Sequence, residues 1–396
     1  MGAEVTSESG PARASMNGAP DARRKFAALN PNYPKGWWMI AFSGDVGRSR
    51  VRALRVLESD VVLWRDTDGD LSCQSAHCPH LGAHLGYGGE VQGKSIRCPF
   101  HGWRFGSDGQ VVDQPGPLAR HQRNGCLDNF RVVERYGAIF LWNGADEPDH
   151  DMPDVLEKLE VSEDDVVFAQ HRWFLPFPAK WFVENVCDGM HFAIAHDAAE
   201  WGETVVTEET PTSMVMRDVL HGPRRWYSIE NVKRRFYRRE LMNLLTPVTN
   251  DLIMESYCGT LHLIRLLGAG KLGSNFASWT PVDDTSHYLM SVVIMPKIRI
   301  PIVGPQLQRL LNFGMAIAEW STVVQDAPIM LHRKERVNPA YTPYDKGLIK
   351  FRRLWDSRIE TNQDGALLGD GIHNNGLAAG IRLQKRTLPG EGRSHS

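Results

Sequence analysis

Apolar and polar positions along the chain change rhythm once, near residue 146. From about residue 36 to 145, short apolar runs alternate with turn-forming residues, the pattern of a strand-rich region. VVLWRDTDGDLSC predicts strand, turn and strand, with Asp68 and Gly69 at the turn. WRFGSDGQVVD repeats that logic around Asp108 and Gly109, and VVERYGAIFLWNG predicts two apolar strands meeting at Gly137. After the acidic connector NGADEPDHDMPDVLEKLEVSEDD the pattern becomes mixed. KWFVENVCDGMHFAIAH and the stretch from about 305 to 333 predict helices, while SYCGTLHLIRLL and HYLMSVVIMP predict strands. This is an α+β pattern, unlike the regular βα alternation of a doubly wound sheet. Residues 1–30 have little to bury and are expected to form a disordered leader; residues 386–396 are expected to form a polar tail.

Composition narrows the class. The 396 residues suffice for two domains of ordinary size, and 42% apolar with 23% charged residues is the balance of a soluble globular protein. A formal net charge of −2 gives no basic field for nucleic acid. No apolar run reaches the ~18 residues that would suggest a membrane span, and the N-terminal stretch lacks the apolar core of a signal peptide. Six cysteines scattered over this length do not form a disulfide framework, so a reducing cytoplasm is expected. Cys73, Cys126 and Cys258 are expected as small core residues.

Candidate chemistry concentrates in CPHLGAHLGYGGEVQGKSIRCPFHGW, residues 78–103. Cys78 and His80 are followed, after seventeen residues, by Cys98 and His101, so each of two loops offers one thiolate and one imidazole. A zinc finger groups like residues, a Cys pair and then a His pair. One Cys and one His per loop suits a two-iron cluster in which both thiolates hold one iron and both imidazoles the other. Neutral imidazoles remove negative charge from such a cluster and raise its potential. The CPH…CPFHGW pair resembles the Rieske signature of the ring-hydroxylating and related Rieske non-haem iron oxygenases. His77 and His84 lie outside that signature and are expected as solvated or supporting histidines.

Further on, ENVCDGMHFAIAH places Asn185, Asp188, His191 and His196 in one segment. Two histidines and a carboxylate on one side of an iron leave positions open for dioxygen and substrate. On a regular helix His191 and His196 would point about 140° apart, so they converge only if the helix ends or distorts between them. The segment resembles the mononuclear-iron motif of the same family. By that resemblance His191 and His196 are iron ligands, Asp188 bridges towards a Rieske histidine of a neighbouring subunit, and Asn185 lies near the iron. EWSTVVQDAPIMLHRK resembles the family's late helix, which assigns the third ligand to Asp326.

The resemblance covers residues from about 36 to 335. It implies a β-rich Rieske domain (36–145) and a helix-grip, START-like catalytic domain (146–385), whose antiparallel sheet folds round a long helix. It implies a [2Fe–2S] cluster, a mononuclear Fe(II), and electrons from NAD(P)H through a separate reductase, with or without a ferredoxin. It implies a head-to-tail homotrimer and the O2-dependent oxidation of an apolar small molecule. CPHLGAHLGYGG is most similar to the sterol-directed branch, the cholesterol 7-desaturases and 3-ketosteroid 9α-hydroxylases. It is also similar to the oxidative cyclases of prodiginine biosynthesis. Hydroxylation, desaturation and cyclisation thus all stay open. Two other readings remain: a Rieske electron-transfer protein with an inactive second domain, and a structural zinc protein.

Four weaker signals remain in the sequence. GAGKLGS at 268–274 fits a dinucleotide-binding pattern, but Pro281 and a strand follow where a helix is required. DTDG at 66–69 lacks the Glu of a calcium loop and is expected as a hairpin turn. VKRRFYRRE at 232–240 is a solvated face or a docking surface for an acidic ferredoxin, and GALLGDGIHNNGLAAG at 365–380 is a substrate lid or a loop.

Overall fold

The computed structural model describes residues 15–16, 25–116, 125–196, 199–221, 251–266, 273–336 and 338–360. The readings placed on 232–240, 268–272 and 365–380, and those on most of the two termini, lie outside these residues.

The first region forms a sheet whose strand order is Trp37–Phe42, Ala138–Trp142, Asn129–Arg135, Leu71–Ser75, Ser59–Arg65, Val51–Val56, with Ser15–Met16 pairing against Asn129–Arg135. A smaller sheet of Glu90–Gln92, Ser95–Arg97, Arg104–Gly106 and Val111–Asp113 stands beside it. The predicted turns are present. Gly69, Gly109 and Gly137 all have positive φ, which glycine adopts without steric cost. At the first of them Asp66 Oδ1 accepts from the N–H groups of Asp68, Gly69 and Asp70, so the acidic residue closes a turn.

The second region is a seven-stranded antiparallel sheet in the order Val166–Leu175, Ser286–Pro296, Ser274–Asp283, Leu261–Leu266, Asp251–Tyr257, Ser213–His221, Trp201–Glu209. Its helices are α1 (Val155–Leu159), α2 (Ala179–Val186), α3 (Gly189–Ala195), α4 (Gly304–His332) and α5 (Lys346–Ser357). The N-terminal all-β unit followed by a mixed unit built on an antiparallel sheet agrees with the expected α+β class. Among the described residues no helix is long and apolar enough to cross a membrane.

Alternation along the strands gives the second sheet two different faces. Met290, Val292, Ile294 and Phe276 pack with Trp37, Met39 and Phe140 of the first sheet. Thr280 Oγ1 donates to Met39 O at 2.6 Å and Thr260 Oγ1 to Trp37 O at 2.7 Å, stitching the units together. On the opposite face Ala277, Trp279 and Leu289 pack with Val323 of α4 and with Phe182 and Val183 of α2. Cys73 and Cys258 are fully buried, as expected, but Cys126 is exposed, in an isolated bridge with Gln110 that leaves its side chain outside the core.

Candidate metal centres

The two loops of residues 78–82 and 98–102 share one backbone design. Cys78 N–H donates to Ala83 O at 2.9 Å and Cys98 N–H to Trp103 O at 2.7 Å. Four residues after each cysteine a glycine N–H returns to the cysteine carbonyl, Gly82 at 2.9 Å and Gly102 at 3.1 Å. Both glycines have φ near +70°, a left-handed conformation that a Cβ would strain. Each loop therefore presents its cysteine inward, and the two thiols lie close enough to interact. Cys78 and Cys98 are buried and free, whereas His80 and His101 are exposed, with ring centroids 4.5 Å apart. Trp103 stacks on His80 at 4.8 Å and holds that ring in place. Burial, with the neighbouring Cys98 adding to it, pushes the Cys78 thiol up to about 11. A buried thiol that resists ionisation, with a second buried thiol beside it, is the kind of site a cation stabilises as thiolates. Two inner sulfurs and two outer imidazoles suit a cluster with chemically different ends.

The second centre is built where α2 stops. The chain breaks helix at Cys187, Asp188 caps α3 by accepting from Met190 N and His191 N, and α3 ends at Ala195 with His196 at its C-cap. That ending frees the His196 ring from the helical register, which resolves the 140° mismatch. Asp326, 1% exposed, arrives from α4. His191 Nε2 lies 3.0 Å from His196 Nε2 and 3.1 Å from Asp326 Oδ1, and His196 Nε2 lies 3.3 Å from Asp326 Oδ1. Ligands in adjacent positions about 2.1 Å from one ion lie about 3.0 Å apart, so this triangle already has the edges of a facial triad.

The tautomers agree. His191 Nδ1 lies 3.2 Å from Asp188 O and His196 Nδ1 lies 3.0 Å from Gln325 Oε1, so both Nδ1–H groups have acceptors and both Nε2 atoms turn to Asp326. Asn185 Nδ2 sits 2.8 Å from His191 Nε2. Burial would raise the Asp326 carboxyl, but donation and positive charge at the two facing Nε2 atoms prevail and hold it at about 2 when those rings are protonated; with the protons on Nδ1 alone, a cation between the three donor atoms would fill that role. The carboxylate is therefore a ready anionic donor.

All the residues singled out in the sequence converge, in two groups: Cys78, His80, Cys98 and His101 in one, and Asn185, Asp188, His191, His196 and Asp326 in the other. Gln325 escaped the sequence reading, although its place beside Asp326 was a usable signal. So did the grouping of His77 and His84 with Asp60. There Gly86 N–H donates to His84 Nδ1 at 3.0 Å, which occupies that lone pair.

Comparison with known proteins adds independent findings. Residues 36–130 match the family model for the Rieske [2Fe-2S] domain. A cholesterol 7-desaturase of Bombyx mori is 39% identical over 132 residues, 32% of this chain and 28% of that protein. The cholesterol 7-desaturase of Caenorhabditis elegans is 24% identical over 375 residues, 89% of this chain and 82% of that protein. Residues 36–130 thus carry a Rieske domain, and over most of its length the chain is similar to a Rieske-type desaturase. The fold agrees with that of the oxygenase in a solved oxygenase–ferredoxin complex of carbazole 1,9a-dioxygenase. There the TM-score is 0.60 at 16% identity, over 85% of this chain and 93% of that one. The Rieske domain is a [2Fe-2S] domain, and similar proteins are named as desaturases and oxygenases.

Proposed function

We propose that this protein oxidises an apolar polycyclic or aromatic small molecule with O2 at a mononuclear iron, using electrons delivered through its Rieske cluster. The observation that carries the reading is the triangle of His191, His196 and Asp326, with edges of 3.0 to 3.3 Å and both Nδ1–H groups tied. When bound, the iron would supply O2 activation and C–H oxidation. The chain's own residues perform the rest. Gln325 and the Asp188 carbonyl orient the two rings, and Asp326 supplies negative charge without a change of protonation. Asn185 stands where it can donate to a group at the metal. Cys78 and Cys98 would hold the inner iron of the cluster, His80 and His101 the outer one.

In this reading residues 36–145 form the electron-entry domain and 146–385 the catalytic domain. Electrons come from NAD(P)H through a partner reductase and a ferredoxin, as the ferredoxin complex of the carbazole enzyme suggests. The exposed His80 and His101 edge is flanked by Leu81, Tyr87 and Phe100, exposed by 66%, 74% and 61%. An apolar edge of that kind supports docking on the catalytic domain of a neighbour in a homotrimer, with Asp188 on the electron path. The desaturase relatives make a sterol the favoured substrate, and free cysteines fit a reducing cytoplasm.

The test is anaerobic purification with iron and sulfide counts and EPR, followed by turnover with a reductase. About three irons per chain and O2-dependent substrate oxidation that His191→Ala abolishes are expected. Zinc without acid-labile sulfide, or a physiological activity that His191→Ala leaves intact, refutes the reading.

A further inference from the structure

On the face of the second sheet that meets α4, four polar side chains form a directed chain. Ser291 Oγ donates to Asn275 Oδ1 at 2.9 Å, and Asn275 Nδ2 donates to Glu319 Oε1 at 2.5 Å. His171 Nδ1 lies 2.7 Å from Glu319 Oε2. A carboxylate only accepts, so Nδ1 carries the proton of the neutral ring and Nε2 presents a lone pair. Among the described residues nothing meets that Nε2, although the His171 side chain is only 10% exposed. The Nε2 is not among the fully buried atoms without a partner, so a donor from a ligand or a water can reach it at the edge of a mostly buried ring.

Its position relates it to the iron triad. Glu319 and Asp326 are seven residues apart on α4, so they project within about 20° of each other and lie about 10 Å apart along the axis. Beside His171 the rings of Trp173 and Trp320 are stacked, 6.0 Å between centroids and 19° from parallel, with Trp173 5.4 Å from His171. A flat apolar surface thus adjoins one hydrogen-bond acceptor, two helical turns from the metal ligand.

We infer that His171 Nε2 anchors a substrate hydroxyl, so that the protein selects a rigid apolar alcohol over the matching ketone. This rests on the oxygenase reading for the identity of the site. The alcohol O–H donates to Nε2, Glu319 holds the tautomer that accepts it, and the flat body of the molecule extends along α4 towards the triad. A ketone has no proton to give and leaves the acceptor unpaired. Of the two sterol-directed branches that the sequence resembles, the inference places the substrate with the 3-hydroxy sterols. His171 is a binding residue in this account, and no bond is made or broken there.

The test uses the iron-loaded protein and three steroids that differ at one carbon: 5α-cholestan-3β-ol, 5α-cholestan-3-one and 5α-cholestane. Equilibrium binding should rank the alcohol about tenfold tighter than the ketone or the hydrocarbon, the effect of one net hydrogen bond. His171→Phe should bring the alcohol to the level of the ketone, with iron content and the Rieske EPR signal unchanged. Equal affinities, a preference for the ketone, no binding of any of the three, or a preference that survives in His171→Phe each overturn the inference. If His171→Phe does not fold, the ranking by the unaltered protein decides alone. Selective binding of the alcohol without oxidation would sink the oxygenase reading and keep the anchor; oxidation without selectivity would do the reverse.

Discussion

Replacing Asp218 with Asn should remove a pH-dependent penalty from the folded state. Asp218 lies on strand Ser213–His221, 3% exposed, and accepts from Thr204 Oγ1 at 2.5 Å; Thr204 Oγ1 in turn accepts from Gly189 N at 2.7 Å. Burial raises the carboxyl, the Thr204 bond opposes it and the charge of Asp188 adds to it, for a net pKa of about 7. Unfolded, the group titrates near 3.9. The folded state therefore holds a proton that the unfolded state has lost between about pH 4 and 7, so stability is fully present below that window, falls across it and is level above it. Three units at about 1.4 kcal/mol each make the contribution about 4 kcal/mol, an upper bound because a few tenths of an ångström of relaxation would admit solvent. The amide of Asp218→Asn is isosteric and keeps an oxygen for Thr204. Urea unfolding of both proteins at pH 5, 6, 7 and 8 should show the variant gaining on the parent up to pH 7 and then holding a constant lead. Groups common to both proteins cancel in that difference. A difference independent of pH, or a variant less stable at pH 8, would refute the reasoning.

Three further outcomes follow from the same geometry. Glu184, 2% exposed, accepts from Arg352 Nε at 2.7 Å and from Arg333, joining α2 to α5 and to the end of α4. Glu184→Gln should cost up to about 3 kcal/mol, read as a lowered melting temperature; the figure stays at the low end for a broken buried pair because both arginines are partly solvated. A Cβ on Gly202 would meet Gly189 O at 2.2 Å, so Gly202→Ala should displace α3 and lower mononuclear iron while the Rieske signal persists, which metal analysis and EPR together resolve. Cys78→Ser should do the opposite, abolishing the Rieske signal and the acid-labile sulfide while the mononuclear iron is retained.

What the sequence disclosed depends on how locally each part is built. Cys78, His80, Cys98 and His101 were legible because each loop closes on itself within five residues, so spacing alone carries the geometry. His191 and His196 were legible as a pair for the same reason, and the angular mismatch between them forecast a helix end that the structure supplies at Ala195. The upstream break at Cys187 was not forecast, although Asp188 followed by Gly189 is a helix start by its chemistry. Asp326 was reached only through resemblance, because it lies 130 positions beyond His196 in the chain. The His171–Glu319–Asn275 chain could not be seen at all. It depends on the pairing of Val166–Leu175 with Ser286–Pro296 and on the rotation of α4, and neither is written in local spacing. The exposure of Cys126 likewise reflects its isolated pairing rather than its composition.

The helix that carries His191 shows why so much of the fold bears on so small a site. Seven residues are too few to make a stable helix in water, so α3 must be held from outside. Asp188 satisfies two of its first N–H groups and Thr204 a third. A Cβ on Gly189 would come within 2.7 Å of the Glu203 backbone, so only a glycine lets the helix start lie directly on strand Trp201–Glu209. At its other end His196 is tied to Gln325, which α4 delivers together with Asp326. These restraints come from three places, the Asp188 cap, strand Trp201–Glu209 and α4, and each acts within one turn of a candidate ligand. The triangle of donor atoms is thus set by tertiary packing on both sides, and the short helix contributes little beyond the direction in which His191 points.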